Sequence, residues 1–174
     1  MSEKVFIIDD LYSEIEIEEN EKFLLENVIW QYGQSSNGND ITCFWTGHID
    51  HNTLIKEMFN NFLLEIFIRY SIKMVDNYNR VYLNGQTYEL NGNWHQDCSE
   101  AGYHTLLYMV NAEDTDNIGD FQYIDPSNKS DIKTVPFKPG RFVLFPSHWK
   151  HRGLAPSVKN KLRITLAYKE IKFL

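Results

Sequence analysis

Apolar residues recur at three- and four-residue spacing along one long segment in the N-terminal half of the chain. This is the period of an α-helix that lays one face on a core, so the pattern predicts a helix over residues 53–73. The apolar positions are Leu54, Ile55, Met58, Phe59, Phe62, Leu63, Ile66, Phe67 and Tyr70. Upstream, Ser13 and Glu16 have the Ser-x-x-Glu spacing of a capping box, which predicts a first helix after a short strand at residues 5–10.

From Arg80 onward the pattern changes to short apolar segments separated by turn residues. It predicts strands at residues 81–83, 88–90, 94–97, 105–110, 121–124, 141–145 and 162–169, and one further strand at 41–45 before the long helix. Turn signals such as Asn84-Gly85 and Pro139-Gly140 separate these strands at intervals that suit an antiparallel sandwich or barrel.

The order of these elements predicts the domain organisation. Because the helices precede most of the strands, we expect one α+β domain over residues 1–174. Within it, residues 1–79 would form a supporting strand and helices, and residues 80–174 would form the β core.

Composition and charge narrow the class of protein. The 174 residues are 43% hydrophobic and 24% charged, which is typical of a globular domain. A net charge of -7 gives no overall attraction for nucleic acid or for an anionic membrane surface. No apolar run approaches the roughly 20 residues of a membrane-spanning helix. Residues 1–5 lack a basic or apolar leader, so we expect a cytoplasmic protein, in which Cys43 and Cys98 are reduced thiols.

A histidine and a carboxylate occupy alternate positions of one predicted strand, at His95 and Asp97. Residues two apart on a strand point to the same side. Burying two such polar groups costs several kcal/mol unless they pair or bind a metal, so on an inward face they indicate a pair of metal ligands. Taken alone, a salt bridge or a turn would also explain the pair.

A second histidine with ligand chemistry follows the predicted strand at 141–145, where His151 stands just before Arg152 and Gly153. Two histidines and one carboxylate on one face of an iron leave open the coordination sites that dioxygen activation requires. A structural zinc site would prefer a closed tetrahedral set of ligands. His148, three residues earlier, is the rival ligand, and the residues alone leave the choice open.

The last predicted strand has one polar and one apolar face. Arg163, Thr165 and Ala167 share the polar face, and the intervening residues, which are apolar, would pack on the N-terminal helices. A guanidinium and a hydroxyl that line a barrel interior could bind a carboxylate. The alternative for Arg163 is an ion pair with a neighbouring strand.

The ordered pattern His95-x-Asp97, His151 and Arg163-x-Thr165 resembles that of the Fe(II)- and 2-oxoglutarate-dependent dioxygenases, in particular their prolyl-hydroxylase-like branch. The segment at residues 84–88 is similar to one in small bacterial and phage-encoded hydroxylases. The resemblance covers residues 81–169. If the chain is phage-encoded, the host cytoplasm would be its compartment.

This resemblance implies a double-stranded β-helix, a jelly-roll or cupin-like fold, with the N-terminal helices packed on its major sheet. It implies that His95, Asp97 and His151 hold Fe(II), and that Arg163, helped by Thr165, binds 2-oxoglutarate. O2 would be the co-reactant, with ascorbate as an accessory reductant. The implied reaction hydroxylates an unactivated C–H bond and releases succinate and CO2. A prolyl residue of a peptide or protein is the first expected substrate, and a free amino acid is the alternative.

The sequence departs from the branch at two places, and it also differs from another group of these dioxygenases. Met109 stands where the branch often has a tyrosine that contacts 2-oxoglutarate, so Thr165, Tyr82 and Tyr108 become the candidates for that contact. The usual Gly-Gly-Glu is reduced to residues 118–120. Alkylation-repair enzymes carry Arg-x5-Arg on the last strand, whereas here Arg163 is followed by Lys169, which argues against a nucleic-acid substrate.

A different class of function stays open at this point. A non-catalytic cupin-like barrel could bind a small acid or a structural metal, although such a module would not need the whole set of ligands and arginine. No pattern in the sequence indicates an oligomeric state.

Overall fold

The computed structural model describes residues 4–36, 42–49, 53–75, 77–111, 116–128 and 131–174. Two α-helices lie in the N-terminal half, α1 (Glu14–Glu26) and α2 (Thr53–Tyr70). The strands are β1 (Phe6–Ile8), β2 (Ile29–Gln34), β3 (Phe44–His48), β4 (Arg80–Thr87), β5 (Tyr103–Met109), β6 (Phe121–Ile124), β7 (Ile132–Val135), β8 (Phe142–Pro146), β9 (His151–Gly153) and β10 (Leu162–Lys172). No helix in these ranges is both long and apolar enough to cross a membrane.

Two antiparallel sheets form the body of the protein. The larger sheet has the strand order β1-β8-β5-β10-β4-β3-β2, and the smaller one has the order β7-β6-β9. Strands from the N-terminal segment therefore complete both edges of the larger sheet. Strand β1 pairs with β8, and β3 pairs with β4.

The two faces of the larger sheet carry different cores. One face packs against the helices, and this core includes Leu166 and Tyr168 of β10 together with Phe62 of α2. The other face meets the smaller sheet through Leu107, Met109, Val143, Phe145 and Ala167, which pack with Phe121 and Val135. The alternation predicted for the last strand is thus observed, with its apolar residues on the helix side.

Both predicted helices are present. In α1, Ser13 is the N-cap: the Glu16 backbone amide donates to the Ser13 hydroxyl, and the Glu16 side chain accepts from the Ser13 backbone at 2.7 Å, which completes the capping box. In α2, the buried residues are Ile55, Met58, Phe59, Phe62 and Ile66, at the predicted spacing. The helix ends at Tyr70 rather than at 73, because Ser71 adopts a left-handed backbone with φ 56°.

The predicted turn at Asn84-Gly85 is wrong. Strand β4 runs through both residues, with Asn84 opposite Thr165 and Gly85 opposite Ile164. The glycine serves close packing instead, because a Cβ at Gly85 would lie 3.0 Å from the Trp30 ring.

Other strand predictions also need correction. The predicted strand at 88–90 is a turn, in which Glu89 has φ 60°. The predicted strand at 94–97 is reduced to a single bridge between His95 and His151. Strands β2, β7 and β9 were not predicted from the sequence.

Candidate metal centre and its cavity

A cavity of about 680 Å³ opens beside the two sheets. Side chains from β4, β9 and β10 and from the segment before β5 converge on it. Its lining includes Thr46, Tyr82, Asn84, Gln86, His95, Asp97, His151, Arg163, Thr165 and Lys169. The cavity therefore holds all but one of the site residues predicted from the sequence.

Three potential metal ligands meet in this cavity. The ligand atoms of His95, Asp97 and His151 all lie within 4.8 Å of one another. The Asp97 carboxylate is 3.5 Å from His95 Nε2 and 3.4 Å from His151 Nε2. The backbones of the two histidines exchange hydrogen bonds of 3.1 and 2.9 Å, so the antiparallel bridge holds the rings side by side.

The second nitrogen of each imidazole fixes its orientation. His95 Nδ1 lies 2.9 Å from the Asn93 carbonyl oxygen, and His151 Nδ1 lies 2.8 Å from the Trp149 carbonyl oxygen. Since a carbonyl only accepts, each Nδ1 donates its proton, and the Nε2 atom of each ring faces Asp97 and the cavity. Two imidazole nitrogens and one carboxylate with open positions are a donor set that suits Fe(II).

The side chain of Asp97 is 98% buried, and its carboxylate accepts hydrogen bonds from two other side chains. Thr105 Oγ1 donates to Oδ2 at 2.7 Å, and Lys169 Nζ donates to Oδ1 at 2.6 Å. Burial alone would raise the pKa of the Asp97 carboxyl, but His151, His95 and Lys169 outweigh burial and hold that pKa well below its usual range. Burial lowers the pKa of Lys169, but the interactions with Asp97, and to a lesser extent with Tyr82, more than reverse this effect and raise that pKa. The carboxylate is therefore kept ionised and fixed.

Arg163 is a buried cation without a carboxylate partner in the described ranges. Its Nε donates to the Gly119 carbonyl at 2.9 Å, and its Nη1 donates to Gln86 Oε1 at 2.9 Å. Its Nη2 is buried and has no hydrogen-bond partner among the same residues. Burial lowers the pKa of Arg163 to about 10, although the Asp120 charge opposes this shift. An unpaired buried charge is costly, so the site is suited to an incoming anion.

The remaining predicted residues separate into two groups. Thr165 and Tyr82 line the cavity, as expected. Tyr108 does not: it packs in the helix-side core, with its ring centroid 4.8 Å from that of Phe142. Neighbouring residues on a strand point to opposite faces, and Met109 is the one that shares the face of the smaller sheet. The expected contact of Tyr108 with 2-oxoglutarate is therefore wrong.

The structure also brings in three contact residues to which the sequence analysis gave no role in this site. Lys169 and Thr105 bind Asp97, and Gln86 binds Arg163. Counting in twos from Arg163 would have found Lys169, since both lie on one face of β10. His148, the rival ligand, is not part of the cluster, which is formed by His151.

Comparison with family models and with curated protein sequences finds no match. Solved structures do match. A prolyl hydroxylase of Trichoplax adhaerens, in complex with a hypoxia-inducible factor peptide, has a TM-score of 0.71 and 14% identity, over 98% of this chain and 84% of that one. A 2OG-Fe(II) oxygenase of Burkholderia pseudomallei has a TM-score of 0.69 and 10% identity, over 97% and 84%.

A third structure has a small molecule bound. HygX of Streptomyces hygroscopicus, with nickel, 2-oxoglutarate and hygromycin B bound, has a TM-score of 0.67 and 10% identity, over 98% of this chain and 83% of that one. The chain therefore has the fold of the 2OG-Fe(II) oxygenases, prolyl hydroxylases among them.

Proposed function

We propose that this protein is an Fe(II)- and 2-oxoglutarate-dependent oxygenase that hydroxylates an unactivated C–H bond and releases succinate and CO2. The observation that carries the proposal is one cavity with two features. It holds the ligand cluster of His95, Asp97 and His151, and it holds the buried Arg163, whose Nη2 has no partner in the described part of the chain.

The metal would be held by His95 Nε2, His151 Nε2 and the Asp97 carboxylate. The two carbonyls that accept from Nδ1 orient the imidazoles, and Thr105 and Lys169 hold the carboxylate. When bound, Fe(II) supplies the activation of O2 that is coupled to decarboxylation of 2-oxoglutarate. Three protein ligands leave positions for both molecules.

Arg163 and Thr165 would bind the distal carboxylate of 2-oxoglutarate. Arg163 lines the cavity, and its Nη2 is a buried charged donor with no hydrogen-bond partner among the described residues; Thr165 lies two residues along the same face. Tyr82, also at the cavity, is a further candidate contact. The sheet pair fits the double-stranded β-helix, or jelly-roll, that the sequence resemblance implies.

The primary substrate is proposed by class. A prolyl residue of a peptide or protein is the first candidate, because neighbours in fold include a prolyl hydroxylase in complex with a peptide. A small molecule such as a free amino acid is the alternative, because another neighbour binds hygromycin B.

The test begins with anaerobic titration of the purified protein with Fe(II) and then with 2-oxoglutarate, in which the chelate is followed by its visible charge-transfer absorption. We expect the band in the wild type and its loss in His151→Ala. Admission of O2 should then convert 2-oxoglutarate to succinate. Bound iron without consumption of 2-oxoglutarate would contradict the proposal and favour a non-catalytic binding barrel.

A further inference from the structure

Arg163 and Gln86 are direct neighbours across the β10–β4 pair. Gln86 Oε1 accepts from Arg163 Nη1 at 2.9 Å, while the Gly119 carbonyl accepts from Nε. The guanidinium carbon also lies 5.6 Å from the centre of the Phe137 ring. Two of the three guanidinium nitrogens are thus fixed by the protein, and only Nη2 is left for a ligand.

Gln86 is itself held in one orientation. Its Nε2 donates to the Gly153 carbonyl at 3.0 Å, so its Oε1 faces Arg163. Gly153 completes this arrangement by lacking a side chain. A Cβ there would lie 2.5 Å from Gln86 Oε1 and 2.9 Å from Arg163 Nη1, which leaves no room for it.

The chemistry of this contact matters as much as its geometry. An amide oxygen accepts a hydrogen bond from the guanidinium but carries no charge, so it orients Arg163 without neutralising it. The neighbouring acid, Asp120, accepts from the Phe137 backbone amide at 2.9 Å instead. A buried guanidinium that keeps its charge attracts an anionic ligand strongly, because the surroundings screen it weakly.

We infer that Gln86 is a positioning residue for the cosubstrate: it holds Arg163 charged and in one place, and so it sets the charge and the length of the acid that the site accepts. This inference rests on the proposed function. A fixed arginine and a fixed metal cluster define one separation, so the site should prefer one length of 2-oxo diacid, which the proposed function takes to be that of 2-oxoglutarate. We expect a longer homologue with the same end groups to bind less tightly.

The experiment compares Gln86→Glu, Gln86→Met and a matched control, Gln122→Met. Gln122 Oε1 accepts from Arg152 Nε at 2.9 Å, so the control also removes a glutamine–arginine contact, but outside the lining of the cavity. The Kd of 2-oxoglutarate and of 2-oxoadipate is measured by calorimetry on Ni(II)-loaded protein. The kcat and KM for 2-oxoglutarate consumption are measured on the Fe(II) form.

We expect Gln86→Met to weaken 2-oxoglutarate binding about tenfold, which is the typical effect of losing one hydrogen bond to a charged group. Gln86→Glu should weaken it about 100-fold, because a carboxylate would neutralise Arg163 and repel the ligand. In Gln86→Met the preference for 2-oxoglutarate over 2-oxoadipate should fall severalfold, while kcat at saturation and Ni(II) affinity stay close to the wild type.

The outcomes separate this inference from the proposed function. If the wild type binds 2-oxoglutarate and both Gln86 variants bind it equally well with unchanged length preference, the inference is wrong and the proposed function stands. If the wild type does not bind 2-oxoglutarate, the proposed function fails first. Should Gln86→Met not fold, as judged by circular dichroism, Gln86→Glu decides the question, because it has nearly the same shape as the native side chain.

Discussion

Replacement of Lys169 by methionine tests the electrostatics of the candidate metal centre directly. The Lys169 ammonium donates to Asp97 Oδ1 at 2.6 Å, and both side chains are almost fully buried. Removal of one partner from a buried ion pair typically costs about 3–5 kcal/mol. Because Thr105 still donates to the other oxygen of Asp97, we expect the low end of this range. The metal-free variant should lose about 3 kcal/mol of unfolding free energy.

A divalent cation should reverse about half of this loss. In the wild type the metal must share the Asp97 carboxylate with an ammonium group, and the two cations repel each other. In Lys169→Met the metal becomes the main cation on that carboxylate. The metal should therefore bind the variant at least about tenfold more tightly than it binds the wild type, which corresponds to about 1.4 kcal/mol of additional stabilisation.

The assay is urea unfolding of both proteins with EDTA and with saturating Ni(II). Lys172→Met serves as the matched control, because Lys172 lies near the end of the same strand, is exposed and contacts the Tyr103 ring rather than Asp97. The reasoning is refuted if Lys169→Met is as stable as the wild type without metal. It is also refuted if Ni(II) stabilises the variant no more than the wild type.

Three further changes have defined outcomes. Arg163→Lys should raise the Kd of 2-oxoglutarate at least about tenfold and leave Ni(II) affinity unchanged, because a single ammonium nitrogen cannot take the place of both Nε and Nη1 and still present a donor to the ligand; calorimetry measures both affinities. Ser13→Ala should lower the unfolding free energy in urea by about 1 kcal/mol through loss of the N-cap. Asp9→Asn should cost about 1 kcal/mol at pH 7. The Arg141 guanidinium lowers the pKa of Asp9 in the folded state. The stabilisation by this ion pair is therefore complete above the unfolded pKa of Asp9, about 4, and is lost as the pH falls through the pKa of Asp9 in the folded protein. The difference in unfolding free energy between Asp9→Asn and the wild type should accordingly be smaller in urea titrations at pH 3 than at pH 7.

Local patterns predicted the parts of the fold that depend on local physics. The period of α2 and the capping box at Ser13 are visible in a few residues, and both helices are where these signals put them. The same holds for β10, because alternation on a strand is a local property. His95 and Asp97 could be paired by the same rule, and the structure brings His151 to them through one bridge.

Where contacts between distant segments determine the structure, the predictions from local sequence patterns were wrong or incomplete. Asn84-Gly85 is a typical turn pair, yet the glycine lies within a strand, where a Cβ would make tight contacts of 3.0 Å with the Trp30 ring and 3.2 Å with Trp45. Strand β9 has only three residues and is defined by its pairing with β6. No window of sequence around β9 contains that partner, so a local pattern could not predict the strand.

The assignment of Tyr108 was wrong for a different reason, namely that successive side chains on a strand alternate between the two faces of the sheet. From Thr105, which contacts Asp97, steps of two lead to Leu107 and Met109, so Tyr108 must face the helices whatever its chemistry. The same rule runs from Arg163 to Lys169 on β10 and stops there. Glu170 has a left-handed backbone with φ 64° within a register shift, and Ile171, an even number of steps beyond Lys169, is in the helix-side core. The alternation rule therefore predicts which face a side chain occupies only as far as the next bulge, and the position of a bulge depends on the neighbouring strand rather than on the strand's own sequence.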